Sequence, residues 1–254
     1  MAVLPIERRN EILTKLTVEG KVVVGDLAQY YNVTEETIRR DLDKLEKDGL
    51  AKKTYGGAVK NDSLNVDLPF MVRKQTNVEG KMYIAGIIAG LINDGDYILL
   101  DSSTTALFTV KSIADKSNIT LITNSIEILL EVPAKNDWRI ICTGGEFMKN
   151  GLSFAGRQAE EVIGEYNVDF AVLSCKGIDM QKGITDTRDY NAQIKKAFMK
   201  SAKKTYLAVD STKFDKTSFV RFAEISDICA VITDVEPSEE WKEYFRTNDV
   251  ELYY

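Results

Sequence analysis

The sequence contains no histidine, and only three cysteines and four prolines in 254 residues. Without histidine, Ser-His-Asp and Cys-His catalysis are excluded, and the commonest zinc ligand is missing. We therefore predict no metal site and no cofactor, whereas chemistry based on carboxylates, lysine or phosphate binding stays open. Cys142, Cys175 and Cys229 lie far apart in apolar, strand-like segments without a CxxC pair, which is typical of buried structural thiols.

The chain also lacks long apolar runs. No stretch approaches the 18 apolar residues of a membrane span. Glu7, Arg8 and Arg9 interrupt the first ten residues, unlike the apolar segment of a signal peptide. We expect a cytoplasmic protein without a membrane partner.

The net charge of −6 is unevenly distributed. Residues 1–60 hold 11 Lys and Arg against 10 Asp and Glu, whereas the remaining residues hold 22 against 29. Because the acidic remainder would repel phosphate, any contact with nucleic acid must come from a local cluster within the first sixty residues.

Three helices are predicted in this first segment. Residues 6–17 carry an apolar face and end before Gly20, and residues 25–31 end at Asn32, a residue that tolerates the left-handed conformation of a helix exit. Thr34 is a suitable N-cap for a third helix over residues 35–47.

The third helix has an apolar stripe of Ile38, Leu42 and Leu45. The helical period places these polar residues on the opposite face and its flanks: Glu36, Thr37, Arg39, Arg40, Asp43 and Lys47. A short helix, a turn and a second helix that presents Thr and two Arg is the layout of a helix-turn-helix, whose second helix enters the major groove.

Gly49 ends this helix, and residues 50–59 read as two short strands forming a wing. Lys52 and Lys53 are placed to contact the DNA backbone and Tyr55 the edge of a groove. The predicted DNA-binding residues are Thr34, Glu36, Thr37, Arg39, Arg40, Lys52, Lys53 and Tyr55.

Residues 34–50, TEETIRRDLDKLEKDGL, followed by YGGAV at 55–59, resemble the DNA-binding signature of the DeoR-type transcriptional regulators. The resemblance covers residues 5–60 and implies that the third helix is the recognition helix and the hairpin its wing. We therefore expect a winged helix-turn-helix domain over residues 1–60. Residues 61–80 lose periodicity and contain Pro69 and Gly80, so we expect a linker there, partly ordered around residues 68–70.

From residue 81 to 254 the pattern alternates between helices and β-branched runs. Strands are predicted at 97–100, 119–123, 138–143, 168–174, 205–209, 228–233 and 250–254, and helices at 81–92, 104–115, 125–132, 156–166, 190–203 and 238–246. Continuous apolar strands that alternate with helices predict an α/β domain with a mostly parallel sheet covered on both faces.

Polar residues and glycines follow five of these strands. Because ligands of such sheets bind at the carboxyl ends of the strands, and Ser/Thr-rich turns that open helices favour phosphate, we predict an anion or polyol site there. The predicted effector-binding residues are Asp101, Ser102, Ser103, Thr104, Thr105, Thr123, Asn124, Gly144, Gly145, Lys176 and Lys213.

Residues 69–234 also resemble the sensor domain of the DeoR-type family, whose fold is similar to that of ribose-5-phosphate isomerase. The resemblance implies that segments 101–105, 123–125, 143–146 and 210–214 form an effector pocket. Two positions depart from the family. Ser103 stands where the family usually has Gly, and Lys176 stands where it often has Asp, which replaces a carboxylate by a cation and weakens an enzymatic reading.

The sequence thus predicts a regulator, in the first place a repressor, that binds operator DNA as a dimer or higher oligomer and responds to a phosphorylated sugar. Two alternatives stay open. One is a sugar-phosphate isomerase-like enzyme with a helical appendage, for which Asp101, Asp179, Asp186 and Asp210 are candidate bases. The other uses the N-terminal module for protein interaction.

Overall fold

The computed structural model describes residues 3–61, 67–132 and 137–254. The chain divides into two compact units, residues 1–76 and 77–254. No helix among the described residues is both long and apolar enough to cross a membrane.

The first unit is a winged helix-turn-helix. Its helices are α1 (Pro5–Glu19), α2 (Val24–Tyr31), α3 (Glu35–Lys47) and α4 (Phe70–Gln75), and its strands are β1 (Lys21–Val23), β2 (Ala51–Thr54) and β3 (Gly57–Lys60). The three strands form an antiparallel sheet in the order β1-β3-β2. The predicted helix exit is confirmed, since Asn32 ends α2 in the left-handed conformation with φ of 50°.

The predicted apolar stripe of the third helix is confirmed as well. Ile38, Leu42 and Leu45 are buried in one apolar cluster with residues of α1 and α2. The polar face of α3 is consequently turned to solvent. Val72 of α4 belongs to the same cluster, so this helix packs with the first unit although it lies within the predicted linker 61–80. Residues 62–66 of that range lie outside the described residues.

The second unit is an α/β domain. Its helices are α5 (Val78–Leu91), α6 (Thr104–Ser112), α7 (Ile126–Glu131), α8 (Arg157–Gly164), α9 (Asp189–Ser201) and α10 (Glu239–Thr247). Its strands are β4 (Tyr97–Leu100), β5 (Thr120–Thr123), β6 (Arg139–Cys142), β7 (Glu146–Met148), β8 (Ser153–Ala155), β9 (Val168–Leu173), β10 (Gly177–Asp179), β11 (Gly183–Asp186), β12 (Ala202–Ala208), β13 (Val220–Ala223), β14 (Ala230–Ile232) and β15 (Glu251–Tyr253).

Seven strands form a parallel sheet in the order β15-β14-β12-β9-β4-β5-β6. The chain builds β4, β5 and β6 outward in one direction and then returns to the other side of β4 with β9. The carboxyl ends of β4 and β9 therefore flank the point where the strand order reverses, which is where open sheets of this kind bind ligands.

All seven strands of the parallel sheet and the helices between them were predicted to within a few residues. The sequence analysis missed β1, the antiparallel hairpin of β7 and β8, and the small sheet of β10, β11 and β13. The prediction of buried thiols is wrong for Cys142, which is exposed because β6 is the edge strand of the parallel sheet. Cys175 is buried, Cys229 is half-buried, and all three thiols are free.

Candidate functional site

The N-terminus of α3 is built by Thr34 and Thr37. The hydroxyl of Thr34 accepts a hydrogen bond from the backbone N–H of Thr37 at 3.3 Å, and the two hydroxyl oxygens lie 2.9 Å apart. This cap begins the helix and leaves Thr34 on the surface.

Two arginines of α3 are exposed and paired with glutamates one turn earlier. The Nη2 atom of Arg39 lies 2.7 Å from a carboxylate oxygen of Glu35, and the Nε atom of Arg40 lies 3.2 Å from Glu36. The side chain of Arg39 is 51% exposed and that of Arg40 is 77% exposed. Exposed pairs of this kind are weak, so both guanidinium groups are available to a partner.

The wing differs in part from the prediction. Lys52 and Tyr55 are exposed, and Tyr55 lies in the turn between β2 and β3. Lys53, predicted to contact the DNA backbone, pairs with Asp43, and its backbone N–H donates to Glu46 at 2.9 Å. Lys53 therefore ties the wing to α3.

A buried ion pair that was not predicted from the sequence lies beneath α3. Asp41 accepts from Nε of Arg8 at 2.6 Å and from Nη1 of Arg9 at 3.3 Å, and the side chains of Arg8 and Asp41 are 8% and 5% exposed. The pair joins α1 to the buried face of α3. Helical spacing could have revealed it, because Arg8 lies four residues before the buried Ile12 and Asp41 lies three residues after the buried Ile38.

In the second unit, Asp101 connects the ends of two strands. One carboxylate oxygen accepts from the backbone N–H of Ser103 and the other from that of Ser174, each at 2.9 Å. Since Ser103 follows β4 and Ser174 follows β9, Asp101 lies at the reversal of strand order. Both of its oxygens are used by the backbone.

Helix α6 begins beside this carboxylate. Ser103 is its N-cap and accepts from the backbone N–H of Ala106 at 3.1 Å, which gives this hydroxyl a local structural role. Ser102 and Ser103 are half-buried and accessible, whereas Thr104 and Thr105 are buried. The positive end of α6 and two accessible hydroxyls thus meet at the switch point.

The two predicted residues after β5, Thr123 and Asn124, differ in how completely their side chains are hydrogen-bonded. Thr123 is fully buried, and its hydroxyl donates to the carbonyl of Leu100 at 2.8 Å and accepts from the N–H of Ser125 at 3.1 Å. Asn124 donates to the carbonyl of Phe154 at 2.8 Å, but its buried Oδ1 atom has no hydrogen-bond partner among the described residues. An unsatisfied buried acceptor calls for a donor.

Two glycines follow β6, and both have positive φ, +60° at Gly144 and +108° at Gly145. A Cβ atom on Gly145 would lie 2.6 Å from the carbonyl oxygen of Ala155. Gly145 is therefore required by the close approach of β8, whatever it contributes to a ligand.

Beneath the switch point lies a buried charge cluster that the sequence analysis did not assemble. The ammonium of Lys195 in α9 donates to Asp186 and to the carbonyl of Ser174 at 2.6 Å, and lies 3.8 Å from Asp101. Burial would lower the pKa of Lys195, but the carboxylates of Asp186 and Asp101 outweigh it and raise that pKa. Burial would likewise raise the pKa of Asp186, and the charge of Lys195 lowers it.

The two predicted lysines lie on the same side of the switch point. Lys176 and Lys213 are half-buried, and their charges act on Asp186 and on Cys175 respectively. Burial raises the pKa of the Cys175 thiol to about 12, so this thiol is protonated at neutral pH.

The predicted effector residues do not form one small cluster. Gly144 follows β6 and Lys213 follows β12, four strand positions apart, which corresponds to about 19 Å at the spacing of neighbouring strands. One sugar phosphate does not cover that span along the sheet. The structure brings together the residues that follow β5, β4 and β9, and leaves Gly144, Gly145 and Lys213 on the two sides.

The four carboxylates considered as bases are engaged by the chain itself. Asp101 and Asp186 belong to the buried cluster, Asp179 accepts from the backbone N–H groups of Gln181 and Lys182 at 2.8 and 2.9 Å, and Asp210 accepts from that of Thr212 at 3.0 Å. Each of the four therefore has at least one carboxylate oxygen occupied by a hydrogen bond or ion pair within the chain.

Comparison with known proteins gives two family matches. Residues 8–64 match the DeoR-like helix-turn-helix domain, and residues 76–235 match the DeoR C-terminal sensor domain.

Full-length relatives agree with these matches. The chain is 37% identical to the uncharacterized HTH-type transcriptional regulator YulB of Bacillus subtilis, over 91% of this chain and 89% of the relative. It is 33% identical to the L-fucose operon activator of Haemophilus influenzae (96% and 97% covered) and 30% identical to the glycerol-3-phosphate regulon repressor of Escherichia coli (91% of each). Among solved structures, ribose 5-phosphate isomerase A of Methanocaldococcus jannaschii is similar over 55% of each chain, with 16% identity and a TM-score of 0.40. A structural likeness of that size indicates neither activity nor substrate.

Proposed function

Because the chain belongs to the DeoR family of transcriptional regulators, we propose that it represses a sugar-catabolic operon and releases its operator when a phosphorylated sugar binds the second unit. The observation that carries the proposal is the polar edge at the switch point. There Ser102 and Ser103 open α6, and Asn124 keeps a buried acceptor unpaired. Hydroxyls and a helix N-terminus suit phosphate, and an unpaired amide oxygen suits a sugar hydroxyl.

The family consists of transcriptional regulators and is not a family of enzymes, so the prediction that this chain is not an enzyme is confirmed. The isomerase-like alternative is set aside by this membership. The helix-turn-helix match likewise makes the first unit a DNA-binding domain and not a protein-interaction module.

We propose that α3 enters the major groove with Arg39 and Arg40 as its principal base-reading residues. Thr34, Glu36 and Thr37 would lie at the same groove, Lys52 of the wing would contact the backbone, and Tyr55 would contact the edge of a groove. Two such units on half-sites require a dimer or higher oligomer of the chain. The effector changes the regulation only if it binds the DNA-competent and DNA-incompetent states with different affinity.

Thermal unfolding of the full chain with a panel of phosphorylated and unphosphorylated sugars tests the effector site. We expect one phosphorylated sugar to raise the unfolding temperature of the wild type and of Ser238→Ala, but not that of Ser103→Ala. Ser238 is a matched control, because it caps α10 as Ser103 caps α6. The same sugar should dissociate the complex with operator DNA. Equal stabilisation by the unphosphorylated sugar would contradict a phosphate site, and no stabilisation by any member would contradict the sensor assignment.

A further inference from the structure

The recognition helix carries more negative than positive charge. Residues 35–48 contain six acidic and four basic side chains, and one of the acids, Asp41, is buried. The surface that must approach a polyanion therefore carries five acidic and four basic groups, a formal charge of −1. Among the described residues, Lys47 and Lys52 are exposed and make no ion pair, whereas Arg39, Arg40, Lys44 and Lys53 are each paired with a carboxylate. Because negative charge repels DNA phosphates, the acidic side chains of this DNA-binding element need an explanation.

Two of the acids lie where phosphate would otherwise bind. Glu35 and Glu36 occupy the first turn of α3, at the positive end of the helix. An unblocked helix N-terminus attracts phosphate of any sequence context. These two carboxylates repel the phosphates that would approach that end.

The same two acids are the pairing partners of the two arginines, and their charge stays beside each guanidinium group when the weak pair opens. Glu36 accepts a hydrogen bond from Nε of Arg40, so both terminal nitrogens of Arg40 stay outside that pair. Glu35 accepts a hydrogen bond from one terminal nitrogen of Arg39. An arginine held in this way still offers donors to the O6 and N7 acceptors of guanine. To bind a phosphate instead, it would have to leave its glutamate or bring the phosphate close to that carboxylate.

We propose that Glu35 and Glu36 are specificity-determining residues, which weaken binding to non-specific DNA by opposing arginine–phosphate contacts while leaving arginine–guanine contacts intact. The inference rests on the proposed role of Arg39 and Arg40. Its consequence is that the ratio of operator affinity to non-specific affinity falls when the two glutamates lose their charge.

The double variant E35Q/E36Q of the full chain tests the proposal. Its control is D48N, which removes one exposed carboxylate near the other end of α3, where Asp48 pairs with Lys44 at 3.0 Å, and the effects are compared per charge removed. Affinities are measured over a range of salt for a mixed-sequence duplex and for an operator selected from random sequences by the wild-type protein. We expect E35Q/E36Q to bind the mixed duplex about tenfold more tightly, with a salt slope steeper by up to about 2, and to lower the ratio of operator affinity to mixed-duplex affinity at least threefold.

Several results would overturn the proposal. Equal gains on both duplexes, or an equal effect of D48N, would indicate a simple effect of net charge. Weaker operator binding with unchanged affinity for the mixed duplex would indicate that the glutamates read bases directly. If the wild type itself showed no salt-dependent duplex binding, the proposed DNA contacts of the first unit would be refuted, and not only the role of the glutamates. If thermal unfolding shows that E35Q/E36Q does not fold, the same affinities are measured for E36Q alone.

Discussion

The charged side chains of the recognition helix and those beneath the switch point are held in opposite ways. Arg39 and Arg40 form single, exposed pairs within one helix, whereas Lys195 is buried between Asp186 and Asp101 and bonds to the backbone as well. The exposed pairs exchange partners at little cost, and the buried cluster does not. The first arrangement suits a surface that must change partners, and the second suits a rigid floor for a pocket.

The largest effect is expected from Lys195→Met, which leaves two buried carboxylates without their cation. We expect it to lower the free energy of unfolding by about 3–5 kcal/mol, as measured by chemical denaturation. Lys203→Met is the control, because Lys203 forms an exposed pair with Asp169 and should cost less than about 1 kcal/mol. Equal losses in the two variants would abolish the contrast between buried and exposed charge.

The first unit also contains one buried pair, and Asp41→Asn tests whether it behaves like the cluster around Lys195. The variant leaves Arg8 buried without a countercharge, so we expect a loss of about 3 kcal/mol. Hydrogen exchange in α1 and α3 of the full chain measures the local loss. Asp43→Asn, on the exposed face of the same helix, should leave the exchange rates of these amides nearly unchanged, and a comparable acceleration would contradict the assigned role of Asp41.

Arg40→Ala should affect binding and not folding. We expect operator affinity to fall by about 1–3 kcal/mol with an unchanged free energy of unfolding, because the side chain is 77% exposed. A mobility-shift titration measures the affinity, and Lys44→Ala at the other end of the helix is the control. Unchanged operator binding in Arg40→Ala would refute the base-reading role.

The smallest effect is expected from the wing. Lys52→Ala should weaken binding to all duplexes alike and reduce the salt slope by about 1, as expected for one phosphate contact. Lys53→Ala should change the slope less, since the ammonium of Lys53 is already engaged by Asp43. A larger change of the salt slope in Lys53→Ala than in Lys52→Ala would show that the Lys53–Asp43 pair opens when DNA binds.

Much of this architecture follows from local patterns. Ile38, Leu42 and Leu45 define the buried side of α3 by helical period alone, and the β-branched runs define all seven strands of the parallel sheet. Strands β7 and β10 have three residues each and at most one β-branched residue, so no β-branched run marks them and their pairing emerges only from the fold.

The positions of the predicted effector residues follow only in part from the sequence. Residues after parallel strands share one edge, which placed Asp101 and Asn124 correctly at the carboxyl ends of neighbouring strands, but the strand order that separates Gly144 from Lys213 is not visible in the sequence. Lys195 was missed because a lysine in a helix is ordinarily solvated. Its position three residues after Ala192 and three before Phe198, both buried, was the available signal.

The carboxylate of Asp101 fastens the two halves of the parallel sheet to each other at one point. Its oxygens hold a backbone amide of the turn into α6 and a backbone amide beyond β9, so neither segment shifts without straining the other. A molecule that pulled on the serines of that turn would transmit the displacement to the far half of the sheet through a single side chain. Under the proposed function, an effector bound at these serines would thus be linked through Asp101 to both halves of the sheet.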